Sequence, residues 1–253
     1  MKMLGVLLIV VALSAGETTA QPAELHVLSA GAVRSIVTEL ATAYEKETGN
    51  PVKLSFGTVG VIRAKLAEAA PADVAIMTDT ALNEMTRQGV VREGTWAEVG
   101  RTGIGVGVRD GAPKPDIRTT EALKQALLSA KSLTYVDPAQ GATSGIHFAG
   151  VLQQLGIADA VKPKTTLVPG GYPAELVAKG DVEMVVHQIS EIVPVKGVTL
   201  VGPLPKELQK VTVYSAGVTV SSASRPAAAA FVAFLARPDF KPKLAAAGLD
   251  YKE

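Results

Sequence analysis

Apolar residues along this chain follow two alternating rhythms. Short apolar runs bounded by Gly, Pro or Ser alternate with stretches whose apolar positions recur every three or four residues, the signatures of strand and helix. Leu25-His26-Val27-Leu28 reads as a strand ending in Ser29-Ala30-Gly31-Ala32. Behind it Ile36, Val37, Leu40, Ala41 and Tyr44 share one helical face, and Gly49 stops the helix. A second strand over 51–56 ends at Gly57-Thr58-Val59-Gly60. The next helix turns Ile62, Leu66 and Ala69 inward and stops before Pro71. Val74-Ala75-Ile76-Met77 reads as a third strand and 81–88 as a third helix. This β-α-β-α-β order implies a parallel sheet with helices on both faces.

The rhythm then breaks. Residues 103–108 form an extended, glycine-rich crossing, and 110–115 a turn-forming linker. A second α/β series follows: helix 120–130, strand 133–136, helix 144–155, strand 166–168, helix 173–179, and strands 182–186 and 198–201. Another extended crossing covers 212–220, and helices over 226–235 and 242–247 end the chain. The expected fold is α/β and two-lobed. Each lobe would hold a mainly parallel sheet flanked by helices, and two extended crossings would join the lobes. Lobe one would be 24–105 plus 217–253, and lobe two 106–216, with the last helices returning to lobe one.

The amino terminus stands apart. Lys2 precedes an apolar run over 4–15, then a small-residue stretch closing at Thr18-Thr19-Ala20. That order is a secretory signal peptide over 1–20, cleaved after Ala20, and the run is too short to span a membrane of ~20 helical residues. An exported, periplasmic, monomeric protein is expected. Composition narrows its function. Lys+Arg number 25 and Asp+Glu 24, a net charge of +1, and aromatics are 4%. A nucleic-acid binder needs a basic surplus, so that class is set aside. The absence of cysteine removes disulfides, thiolate metal sites and catalytic thiols. Three histidines without ligand spacing leave no metal site and no cofactor in the reading.

Ligands of open α/β sheets bind beyond the carboxyl ends of strands, where helix N-termini offer free N–H groups to an anion. Four turns have that location: Ser29-Ala30-Gly31-Ala32, Gly57-Thr58-Val59-Gly60, Gly141-Ala142-Thr143-Ser144-Gly145, and Pro169-Gly170-Gly171-Tyr172. Residues 28–33, Ser55-Phe56-Gly57 with Ala70-Pro71-Ala72-Asp73 downstream, and Thr143-Ser144-Gly145-Ile146 opening a helix resemble the periplasmic molybdate-binding protein family. The resemblance spans nearly the whole mature chain. It implies a type 2 periplasmic binding protein whose lobes close on a small anion and hand it to an ABC permease.

The ligand shell departs from that family. Serine hydroxyls and a tyrosine hold the oxyanion there. Here Ala32 and Val59 stand at the serine positions, Thr58 is the nearby hydroxyl, and His187-Gln188 stand where the tyrosine is expected. Arg63, in the first turn of its helix, is placed within reach of the cleft, and a guanidinium fork suits a carboxylate. The ligand set is therefore Ser29, Gly31, Ala32, Thr58, Gly60, Arg63, Thr143, Ser144, His147, Tyr172 and His187, and an organic carboxylate is preferred over molybdate or tungstate. A second reading is enzymatic. Aconitate isomerase shares this fold family, and His147, His187 or Glu191 could move a proton beside the bound anion. A molybdate or tungstate receptor is the third.

Overall fold

The computed structural model describes residues 22–250; the expected signal peptide lies outside them. The first sheet is built from β1 (Leu25–Ala30), β2 (Val52–Gly57), β3 (Val74–Thr78), β4 (Ala97–Thr102) and, much later in the chain, β10 (Thr212–Val218). The second contains β5 (Ile104–Arg109), β6 (Leu133–Val136), β7 (Thr165–Val168), β8 (Met184–Gln188) and β9 (Val198–Pro203). Helices α1 (Arg34–Thr48), α2 (Val59–Ala67) and α3 (Asp79–Arg87) belong to the first half. Then come α4 (Thr120–Ser129), α5 (Thr143–Gln154), α6 (Ala158–Val161), α7 (Ala174–Lys179) and α8 (Ile189–Ile192), and finally α9 (Arg225–Leu235) and α10 (Lys241–Ala246).

Both sheets have five strands, in the orders β2-β1-β3-β10-β4 and β7-β6-β8-β5-β9. The expected parallel core is present in each: β1 pairs parallel with β2 and β3, and β6 with β7 and β8. The sheets as wholes are mixed. β10 runs antiparallel to β3 and β4, and β5 antiparallel to β8 and β9. These are the strands that arrive from the opposite lobe, so they enter against the local direction. Only Gly103 separates β4 in the first sheet from β5 in the second. The chain returns between Pro203 and Thr212. The sheet changes therefore precede the boundaries expected at 105/106 and 216/217, which fall inside β5 and β10. Periodicity could not place them, because the glycine-rich crossing carries no pattern that changes at Gly103.

Each sheet is sandwiched between helices. On one face of the first sheet, Ile36, Leu40 and Tyr44 of α1 meet Phe231 and Leu235 of α9 in a fully buried cluster. Tyr44 packs edge-on against Phe231 and Phe234, at 5.0 and 5.3 Å between centroids, and its hydroxyl donates to the Ala227 carbonyl. This contact ties the last long helix to the first lobe. Truncating Phe231 to alanine would cost ~3–5 kcal/mol by the usual cavity rule. On the other face Ile62, Leu66, Leu82 and Met85 form a second cluster. Asp73, named in the sequence resemblance, is structural: its carboxylate accepts from the His26 N–H and the Ser222 hydroxyl, joining β1, β3 and the segment after β10. The second lobe repeats the arrangement with Leu123, Leu133, Phe148 and Leu152 on one face and Val177, Val185 and Ile192 on the other.

Candidate functional site

The carboxyl ends of β1, β2, β6 and β8 point towards the lobe boundary, and a cavity of about 260 Å³ lies there. At ~30 Å³ per water it has room for roughly eight or nine waters, more than a five-atom oxyanion fills. Gly31, Ala32, Thr58, Thr143, Ser144 and His187 from the expected ligand set line it, as does Glu191. Ala32 and Val59, at the family's serine positions, both reach the wall. Two helical segments start here without a side-chain cap: the short turn Gly31–Val33 leading into α1, and α5. Their first N–H groups are open to a bound anion, and α5 adds the positive end of its dipole. The third start is occupied. Thr58 caps α2 by accepting from the Val61 N–H, while its hydroxyl donates to the Gln140 carbonyl at 2.5 Å.

That last bond crosses between lobes, and a second crosses beside it. The Gly60 N–H donates to the Gly141 carbonyl at 3.3 Å. A Cβ on Gly60 would lie 2.8 Å from the Gln140 oxygen and 2.9 Å from Gly141 Cα, so only glycine permits this approach. The lobes are thus closed on each other. Gly60 serves closure and does not line the cavity.

At the cavity floor β8 ends in His187 and α8 carries Glu191. His187 is 2% exposed and Glu191 7%. The imidazole Nδ1 accepts from the Gln188 N–H at 2.7 Å and lies 3.1 Å from the Glu191 carboxyl. With Nδ1 accepting, Nε2 carries the ring proton, and it has no partner among the described residues. Burial drives His187 down to about 3 and raises Glu191 to about 8, the charge of Arg34 opposing the second shift. Near neutral pH the resting pair is a neutral imidazole beside a protonated carboxyl. An anion can then settle next to Glu191 without meeting a second negative charge.

The cation at this site is Arg34, not Arg63. Arg34 opens α1, lines the cavity, and lies over the rings of Phe56 and Tyr172 at 4.7 and 5.5 Å. No carboxylate among the described residues forms an ion pair with it. Arg63, expected as the clamp, is held by Glu84 at 2.6 Å and lines a neighbouring cavity. Arg34 is the first residue of α1, whereas Arg63 is the fifth of α2 and so lies past the first turn expected for it. His147 also leaves the site: its Nε2 meets the Leu208 carbonyl at 2.8 Å. Ser29 is buried with its hydroxyl turned onto the Ala30 carbonyl. Tyr172 stands at the rim through Arg34, and burial pushes its hydroxyl up to about 12.

Tyr214, like Arg34, was not foreseen from the sequence, and Gln188 was named there only beside His187 at the expected tyrosine position. Tyr214 comes from β10, a segment read only as a crossing; burial raises its hydroxyl above the ordinary value. Gln188 donates from Nε2 to that hydroxyl at 3.1 Å, leaving its own Oε1 without a partner among the described residues. A tyrosine thus does occupy the wall, delivered by the return crossing and not by β8. Among the described residues no cluster of His, Asp and Glu could hold a metal ion.

The closed cleft lies between two mixed sheets, and the sequence itself decides the family: residues 25–250 match the model of the bacterial extracellular solute-binding proteins. The chain belongs to that family of solute-binding proteins. Among curated relatives, the aconitate isomerase of a Pseudomonas species is 35% identical over 240 residues, covering 91% of this chain and 89% of that protein. The molybdate-binding protein ModA of Azotobacter vinelandii is 28% identical, covering 91% and 92%. The solved structure of a periplasmic molybdate-binding protein from Azotobacter vinelandii superposes with a TM-score of 0.76 at 21% identity, over 91% of this chain and all of that one. The family's fold and its capture of solutes thus apply here. Among the described residues no helix is long and apolar enough to cross a membrane.

Proposed function

We propose that this protein, exported to the periplasm, captures a small polycarboxylate in its closed cleft and isomerises it by moving one proton, with aconitate as the substrate. The observation that carries this reading is the buried His187–Glu191 pair beside Arg34. A receptor for a tetrahedral oxyanion has no use for a carboxyl poised near neutral pH. A base that must take a proton from carbon and give it back works best in that range. The resemblance to an aconitate isomerase over nearly the whole chain supports the same chemistry.

The step balances without a co-reactant. With burial raising Glu191 to about 8, the ionised carboxylate is the minor form near pH 7 and is the form that acts as base. The carboxylate takes a proton from the methylene carbon of aconitate. The C–H electron pair spreads through the adjoining double bond and carboxylate. The same proton returns from Glu191 to the far allylic carbon, and the double bond moves by one position. The His187 Nε2–H, the Arg34 fork and the open N–H groups of Gly31 and Ser144 are suited to hold the charge that develops on the carboxylates. His187 acts as a neutral donor, since burial disfavours its protonated form.

Family membership favours a second reading, in which the protein binds a carboxylate unchanged and delivers it to an ABC permease. One experiment separates the two. Mature protein is incubated with trans-aconitate in D2O and followed by proton NMR, with Glu191→Gln as control. Appearance of cis-aconitate, abolished in the variant, is the expected result. Saturable binding of trans-aconitate without conversion would assign the receptor role. Stabilisation by molybdate or tungstate alone would overturn both carboxylate readings.

A further inference from the structure

Arg34 lines the cavity and engages aromatic rings, not a carboxylate. Arg63, Arg101, Arg118 and Arg237 each hold a carboxylate. Arg34 instead lies over two rings that belong to different lobes. Phe56 is in β2 of the first lobe, as Arg34 itself is in α1. Tyr172 stands in the turn between β7 and α7 of the second lobe. That turn is shaped for the reach: Gly171 adopts φ +79°, a left-handed conformation disfavoured for residues with a Cβ, immediately before the tyrosine. The Tyr172–Arg34 contact therefore exists only while the cleft is shut.

We propose that Tyr172 is a closure clasp: its ring meets the Arg34 guanidinium across the lobe boundary, so that the cation receiving a ligand carboxylate also holds the cleft closed. The proposal rests on the anion-capturing half of the function given above and not on turnover. The geometry of guanidinium makes the two duties compatible. Its five N–H donors lie in the plane of the group, while aromatic rings engage its face. A carboxylate can take the in-plane donors without displacing a ring. The Thr58–Gln140 and Gly60–Gly141 bonds close another part of the boundary through backbone carbonyls, and no ligand charge is needed there. Closure thus has one tie that ignores the ligand and one that runs through the ligand's own cation. Tyr172 is a positioning residue in this scheme, since it acts on the ligand through Arg34.

The chain has no cysteine, so a pair introduced at exposed positions can be labelled cleanly. Lys46→Cys in α1 and Ala160→Cys in α6 place one spin label on each lobe, both on exposed residues. Interlobe distances are then measured by pulsed EPR in the Tyr172, Tyr172→Phe and Tyr172→Leu backgrounds, with and without trans-aconitate. Affinity is read by calorimetry on the same proteins. Tyr172→Leu is expected to lower the ratio of closed to open protein about two- to fivefold, the worth of one exposed cation–π contact, and to weaken affinity in step. Tyr172→Phe keeps the ring face and should restore both. Equal closed populations in all three proteins would overturn the clasp, as would a phenylalanine variant that opens like the leucine one. Failure of trans-aconitate to bind the unsubstituted protein would instead count against the carboxylate function. The ligand-free distances would still decide the clasp in that case.

Discussion

Replacing Glu191 by glutamine keeps the shape of the side chain and removes its proton equilibrium. In the folded protein this carboxyl is raised to about 8 from an ordinary 4.5, chiefly by burial. Between those values the unfolded chain ionises while the folded chain keeps its proton. The unfolded state then binds fewer protons, so stability falls as pH rises, by ~1.4 kcal/mol per unit, and levels off above pH 8. Over the whole interval the loss is roughly 5 kcal/mol. His187 has the opposite sign. Its folded value of about 3 lies below the ordinary 6.5, so its contribution is lost as pH falls below 6.5. Both proteins retain that histidine, and its effect cancels in the difference. Glu191→Gln should therefore gain stability over the parent steadily between pH 4.5 and 8 and hold that gain above it. Urea unfolding followed through the single tryptophan, Trp96, at half-unit steps from pH 4.5 to 9 measures the difference directly. A difference that does not change with pH, or that shrinks as pH rises, would refute the assignment of Glu191 as a buried, protonated carboxyl.

Arg34→Ala should weaken carboxylate binding roughly ten- to hundredfold, the worth of one charge-assisted contact, while Arg63→Ala changes affinity less than about twofold because that arginine is committed to Glu84; calorimetry with trans-aconitate compares them. Gly60→Ala puts a methyl against Gln140 and Gly141, so affinity should fall roughly tenfold or more with little change in unfolding midpoint, the clash being between lobes and not within one. Gly145→Ala has the converse signature: its Cβ would strike the Val136 carbonyl beneath α5, so the thermal midpoint itself should drop, by the equivalent of ~1–3 kcal/mol. In the isomerase assay kcat/KM should rise with pH towards about 8 as Glu191 ionises.

The strand–helix order could be read from the chain because burial alternates with period two or near 3.6, and nearly every long element obeyed that rule. What escaped were elements with no period to display. β4, Ala97–Thr102, mixes Glu98, Gly100 and Arg101 with apolar neighbours, and α8 is a single turn. At the site, turn chemistry identified Gly31, Ala32, Thr58, Thr143 and Ser144, since small residues at strand ends are needed wherever backbone must approach a ligand. His187 and Glu191 were within reach as a strand end followed four residues later by an acid. Arg34 was not, for the choice between Arg34 and Arg63 depends on which has a carboxylate opposite, and Glu84 lies on a different helix from Arg63. Tyr214 was hidden by topology: only the return of β10 to the first sheet brings it beside Gln188.

That return has a consequence for the order in which the protein can assemble. Among the named strands of the described residues β4 neighbours β10 alone, with one isolated bridge from Arg101 to Asp250, and β10 begins at Thr212, more than a hundred residues later. A chain emerging from its amino terminus therefore carries a β4 with no strand to pair with until the whole second lobe has been made. Loop closure over that span must precede completion of the first sheet, which is slow relative to local pairing. The second lobe, contiguous from β5 to β9, meets no such delay. The lobe that starts the sequence is the one that finishes folding last, and the cavity wall bearing Tyr214 is completed with it.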